Sequence, residues 1–222
     1  SNDEYLTKRF CFGVWFKESK EFNDFYRTIV ERFRLVIKQE YVNELISYSY
    51  LDKLYLTDKK PISRQEIVIC KNKELKYDKI DIEILKILSK NARTPIIEIA
   101  SKLKMDSASI IYRIKQLENK KIIVGYKVDL NSSIINRHFY TIKIYLSDFK
   151  RKKELISYLK SVPIVTNFTE SIGSWDVEFD IEIENDEEYH RFIYDLKDKF
   201  NFISEILFFR VPNTIKIINM PL

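Results

Sequence analysis

Glycine is almost missing from this chain, with three residues in 222. So few exclude a Gly-rich phosphate cradle, which needs several in one short loop. Cysteine is nearly as scarce, and Cys11 and Cys70 stand far apart without histidine neighbours. Neither a disulfide scaffold nor a zinc site is expected, and a reducing cytoplasm fits. The two histidines, His138 and His190, are single residues at a strand start and on a helix. Ser171-Ile172-Gly173-Ser174-Trp175 is no nucleophile elbow, because no strand–Ser–helix context follows it. No catalytic residue, cofactor or metal is therefore expected. No run approaches the roughly 18 apolar residues of a membrane span. The first residues are polar and charged, unlike a signal peptide, so no membrane partner is expected.

What the chain does hold is apolar mass and unevenly placed charge. Hydrophobic residues make up 45%, and the 14 Tyr and 15 Phe suit sheets. The length allows two or three small domains. Residues 76–128 hold twelve basic and six acidic side chains, a net of +6, whereas residues 129–222 carry a net of −3. The positive field sits on the middle of the chain, where a phosphate backbone would be met.

That middle segment reads as three short helices and a β-ribbon, a winged helix-turn-helix. Ile80, Ile84, Ile87 and Leu88 fall at helical spacing. Pro95 starts the next helix, since a first turn does not need its missing N–H. Ile96, Ile99, Ala100 and Leu103 make its apolar stripe. Asp106 is placed to cap a third helix from Ser107 to Asn119, which would bury Ile110, Ile114 and Leu117. Its other face carries Ser107, Ser109, Tyr112, Arg113, Lys115 and Gln116, all able to reach phosphate or base edges. Arg113 either faces DNA or fixes its helix, with Glu118 as a possible ion-pair partner. Arg93 and Thr94 precede the second helix, whose free N–H groups suit a phosphate. The run from Ile122 to Val128 would form the wing.

Asp81, Ile84-Leu85, Asn91-Ala92-Arg93, Ile99-Ala100, Arg113-Ile114-Lys115, Leu117-Glu118, Ile122-Ile123 and Gly125-Tyr126 together resemble the Lrp/AsnC transcription regulators. Asp106 replaces the family's usual Ser, and Lys121 replaces its usual Gly after the recognition helix. A left-handed residue at Lys121 would cost about 1 kcal/mol relative to Gly. The resemblance implies a cytoplasmic regulator that binds double-stranded DNA as a homo-oligomer. It also implies a small-molecule effector, an amino acid or related metabolite, held between subunits. Gly173 and Asp176 stand where the family's Gly-x-x-Asp ligand loop would be, although Ile172 occupies a position that is commonly small and polar. Two other readings stay open: an enzyme like the sirohaem decarboxylases, against which the scarcity of histidine counts, and a module that binds protein instead of DNA.

The expected fold is α+β. It comprises a winged helix-turn-helix domain (residues 75–130), a C-terminal ferredoxin-like βαββαβ domain (135–222) and an N-terminal partial copy of that domain (1–74). Strands are expected at 138–146, 164–172, 176–184 and 203–217, and helices at 149–161 and 186–200. In the N-terminal part a strand at 8–17 and a helix at 19–33 are followed by strands at 35–42, 45–56 and 64–70. A shift of 167 residues lays Phe22, Phe25, Ile29 and Phe33 on Tyr189, Phe192, Leu196 and Phe200. The first half of that copy is not in the sequence, and the opening Ser-Asn-Asp reads as a tag remnant, so a longer, tandem protein of archaeal type is expected. Finally, Asp176, Glu178, Asp180, Glu182 and Glu184 line one face of one strand. They read as a solvated face or as the mate of Arg9 and Lys17 in a pseudo-dimer of the two copies.

Overall fold

The structure is a computed structural model, and it describes residues 13–14, 16, 18–56, 66–70, 76–128, 130 and 135–211. The expected strand at 8–17 lies almost wholly outside these residues, as do Arg9, Lys17 and the end of the last strand. The described residues fall into two compact units, those up to Glu40 and those from Tyr41 on.

The first unit is described mainly by α1, Ser19–Phe33. Its phenylalanines repeat at helical spacing, and Phe16 packs its ring against Phe22 and Phe25, at 5.7 and 5.5 Å between centroids. Tyr26 donates from its hydroxyl to Glu40, 2.8 Å away. The strand expected at 35–42 is not formed. The amides of Val36 and Ile37 both donate to the Phe33 carbonyl, at 2.9 and 3.0 Å. The chain thus coils on past the helix, and the β-branched run Val36-Ile37 is overridden by this local closure.

In the second unit, β1 (Glu44–Leu51) and β2 (Glu66–Cys70) precede three helices, α2 (Lys79–Lys90), α3 (Ile96–Leu103) and α4 (Ser107–Asn119). The βαββαβ run follows as β3 (His138–Leu146), α5 (Lys152–Ser161), β4 (Val165–Ile172), β5 (Val177–Ile183), α6 (Asp186–Lys199) and β6 (Ile203–Arg210). One antiparallel sheet has the order β2-β1-β4-β5-β3-β6. Its last four positions are the ferredoxin-like arrangement. β1 and β2, expected within the N-terminal partial copy, instead extend this sheet beyond β4, with Tyr48 opposite Thr169 and Tyr50 opposite Asn167. The strand expected at 45–56 stops at Leu51, and a single 3₁₀ turn over Leu54–Leu56 follows.

Alternation along the strands sends one set of side chains to each face. Ile142, Ile144, Phe179, Ile181 and Ile183 face α5 and α6, where Leu155, Leu159 and Leu196 close over them without solvent contact. Each such side chain contributes roughly 1.5–3 kcal/mol by leaving water. The opposite face is polar yet covered. Asp180 and Glu182 are buried there, which corrects the reading of the acidic row as a solvated face for these two, whereas Glu184 is exposed. Asp180 accepts from Thr141 Oγ1, Asn167 Nδ2 and the Tyr48 hydroxyl, at 2.7, 3.1 and 3.1 Å. Glu182 accepts from Lys53 and Tyr55, which follow β1. Glu184 pairs with Arg137. Burial holds the carboxyls of Asp180 and Glu178 above the usual carboxylate range. The extra strand β1 and the turn after it thus add Tyr48 to the partners of Asp180 and supply Lys53 and Tyr55 to Glu182.

Candidate nucleic-acid interface

Three helices of eight to thirteen residues are too short to be stable alone, so their caps and shared core decide whether they form. Asp78 caps α2 by accepting from the Asp81 amide at 2.9 Å, and Asp81 reciprocates to the Asp78 amide at 3.1 Å. Pro95 stands just before α3, which has no side-chain cap. Lys104 then takes the left-handed conformation, φ 54°, and the Met105 amide donates back to the Ala100 carbonyl at 2.9 Å. That closure makes the tight turn of the motif. Asp106 caps α4 as expected, accepting from both the amide and the hydroxyl of Ser109, at 2.8 and 2.7 Å. These two bonds hold its carboxyl below the usual range. Ile84, Ile99, Ala100, Ile110 and Leu117 form the buried core between the helices.

Lys121 is left-handed after α4, with φ 58°, as its position predicts. The chain beyond it departs from expectation. The amides of Ile122 and Ile123 both donate to the Leu117 carbonyl, at 2.9 and 3.1 Å. They are tied to the helix end and have no ladder to make, so residues 122–128 are irregular rather than a β-ribbon. The segment instead runs past the sheet. Gly125 lies against Ile67 so closely that a Cβ would fall 2.7 Å from its Cδ1, and the Lys127 ammonium sits 4.1 Å from the Tyr50 ring centre. Tyr126 donates to Glu118 at 2.9 Å, and burial with that bond pushes its phenol up to about 12.

Arg113 is the most constrained of the expected site residues. One guanidinium nitrogen donates to Asp78 and Asp81, 2.8 Å from each. It therefore bridges the recognition helix to the first turn of α2, and Glu118 is engaged with Tyr126 instead. The backbone bond from Asp81, with Arg113 beside it, holds the Asp78 carboxyl below the ordinary value. Ser109 is committed to Asp106, and Ser107 and Gln116 are half-buried. Tyr112 and Lys115 face solvent, and Tyr112 is 65% exposed. Arg93 is exposed ahead of α3, whereas the Thr94 hydroxyl turns back to the Asn91 carbonyl at 2.7 Å. A groove of about 810 Å³ runs beside α4, lined by Ala108, Ser109, Tyr112, Arg113, Gln116 and Lys120 among others.

Ala108, Ile111 and Asn119 are exposed too, and with Tyr112 and Lys115 they complete one outward stripe at helical spacing. A search by polar residue type passes over Ala108 and Ile111, and Asn119 reads only as the end of the helix. The i, i+3, i+4 spacing from Tyr112 and Lys115 would have found them.

Gly173 and Asp176 lie together on the turn between β4 and β5, away from these helices. Gly173 has φ 153°, and a Cβ there would meet the Val42 carbonyl oxygen at 2.8 Å and the Asn43 side chain. Asn43 also accepts from the Ser174 amide and donates to Ser171, at 2.9 and 3.2 Å. Asp176 accepts from the Leu146 amide at 2.7 Å. Among the described residues no cluster suited to a metal ion occurs, and no helix is long and apolar enough to cross a membrane.

Three helices on one shared core, α4 following a tight turn, define a helix-turn-helix protein whose module stands in one chain with a ferredoxin-like sheet. A family model described as winged helix-turn-helix DNA-binding matches residues 77–124. The HTH-type transcriptional regulator LrpA of Pyrococcus horikoshii is 45% identical over 65 residues, which are 29% of this chain and 46% of that protein. The chain thus spans about half the length of this relative. Ptr1 of Methanocaldococcus jannaschii, also an HTH-type transcriptional regulator, is 31% identical over 101 residues, covering 45% of this chain and 67% of its own. Among solved structures, AsnC of E. coli superposes with a TM-score of 0.58 at 19% identity, over 66% of this chain and 100% of that one. The L-Met complex of a transcriptional regulator from Neisseria meningitidis gives 0.60 at 21% identity, over 66% and 97%. The chain belongs to the Lrp/AsnC family of HTH-type transcriptional regulators.

Proposed function

We propose that the protein is a sequence-specific, double-stranded-DNA-binding transcription regulator that lays α4 in the major groove. The outward stripe of α4 carries the reading. It is the one solvent-facing surface of a helix capped by Asp106 and braced by Arg113, on a segment of net charge +6. Lys115 is its central cation, and Arg93 stands ready for a neighbouring phosphate. Ser107, Ser109, Thr94 and Gln116 flank the contact, and Arg113 serves it by holding the helix. The role is non-catalytic, and the DNA partner places the protein in the cytoplasm. A single module binds weakly, so a homo-oligomer that presents two modules is the working unit. Gly173 and Asp176 are the place for an amino-acid effector, and Asn43 and Val42 stand against it.

Fluorescence anisotropy with random and promoter-derived duplexes, at two salt concentrations, tests the reading. Binding that weakens steeply with salt and is reduced in Tyr112→Ala/Lys115→Ala supports it, because phosphate contacts release counterions. No binding at low salt by a folded protein contradicts it.

A further inference from the structure

The outward stripe of α4 has an unusual composition for a helix that reads bases. Arginine is the commonest reader of guanine, through paired bonds to O6 and N7. The module has two arginines, and neither is on the stripe. Arg113 is turned aside to Asp78 and Asp81, and Arg93 lies ahead of α3. What the stripe presents in their stead is largely apolar: Ala108 and Ile111, the latter 41% exposed, beside the ring of Tyr112. Lys115 is its one cation, and Asn119 lies a turn further on.

Exposed apolar groups on a module of net +6 call for an occupant that is anionic at its rim and apolar within. The major groove over A·T pairs fits both demands, because thymine projects a C5-methyl group there between two rows of phosphates. Asn119 adds a side chain of the type that pairs with adenine N6 and N7. A G·C-rich groove would offer Ile111 no methyl group, and the polar edges it covered would lose water with no hydrogen bond from that side chain in return.

We infer that Ala108 and Ile111 are specificity-determining residues that read thymine methyl groups, so that the operator is rich in thymine at the positions under the first turns of α4. This rests on the DNA-binding reading above. Burying one methyl group is worth roughly a four-fold change in affinity per contact, from about 0.8 kcal/mol for each buried carbon.

Replacing thymine by uracil in DNA removes that methyl alone and keeps the pairing. The test is anisotropy with a 24-base-pair alternating A·T duplex against the same duplex carrying deoxyuridine throughout, for wild type and for Ile111→Ser and Ala108→Ser. Both residues are solvent-facing, so the variants fold, and equal thermal melts check this. Wild type should bind the thymine duplex several-fold more tightly. In Ile111→Ser the ratio should fall towards one, and the salt dependence should stay as in wild type. Salt-dependent binding with equal affinity for both duplexes overturns the inference and leaves the DNA reading standing, as does an unchanged ratio in Ile111→Ser. Absence of binding to any duplex overturns both.

Discussion

The helix-turn-helix and the six-stranded sheet treat charge in opposite ways. On the helical module the acids that cap helices, Asp78 for α2 and Asp106 for α4, stand at the surface, and Asp81 alone is buried, beside Arg113. The module's cations are left mostly to solvent. On the central strand β5 two acids go inside. Asp180 and Glu182 are buried, each with two or more side-chain donors. A charge at the surface costs little and can meet a partner, whereas a buried one must be satisfied within the fold. The first arrangement suits recognition. The second fixes which strand lies beside which, because only β1 and the turn after it bring Tyr48, Lys53 and Tyr55 to the acidic row.

The comparison can be broken most forcefully in the apolar core of the sheet. Leu196→Ala removes a side chain with no solvent contact and should cost about 2–5 kcal/mol of stability, measured by urea unfolding. The folded fraction should keep its DNA affinity.

Asp180→Ala should cost about 1–3 kcal/mol, because the hydroxyls of Thr141 and Tyr48 and the amide of Asn167 lose their shared acceptor. The same carboxyl sets a pH dependence. Burial raises Asp180 and Glu178, so above about pH 4 the folded protein holds protons that the unfolded chain has released. Their contribution to stability is therefore greatest in acid and falls as pH rises towards the raised values. Asp78 and Asp106 are lowered instead. Their contribution is complete above about pH 4 and is lost as pH falls below it. Melting curves of wild type and Asp180→Asn between pH 4 and 7 check the sign, since the variant should lose part of the fall with rising pH.

In the module, Arg113→Ala should cost about 1 kcal/mol, as expected for a partly exposed ion pair. It should also weaken DNA binding, because α4 loses its tie to α2. The smallest effect is expected at Lys121→Gly, which should gain up to about 1 kcal/mol by relieving a left-handed residue with φ 58°.

Regular elements with their own period were legible in the sequence. The strand 138–146 and the helix 19–33 were placed to the residue, and α4 with its Asp106 cap was too. What escaped was whatever depends on distant partners. β1 and β2 read as strands, but nothing local says that β1 pairs with β4 and carries β2 on its outer edge. The bonds of Arg113 to Asp78 and Asp81 span 35 and 32 residues, whereas the candidate weighed for it, Glu118, was a neighbour on the same helix. Residues 35–42 and 122–128 look β-prone, and in each the first amides instead turn back to the carbonyl of a preceding helix. The interface was half legible: its polar members were found by residue type, whereas Ala108 and Ile111 required spacing to be weighed above chemistry.

The most direct test of the central claim is the slope of log affinity against log salt for wild type and Lys115→Ala on one duplex. If α4 lies against the phosphates, the slope should shrink by about one in the variant, and the thermal melt should not move. An unchanged slope, with both proteins folded, would contradict the placement of α4 at the DNA.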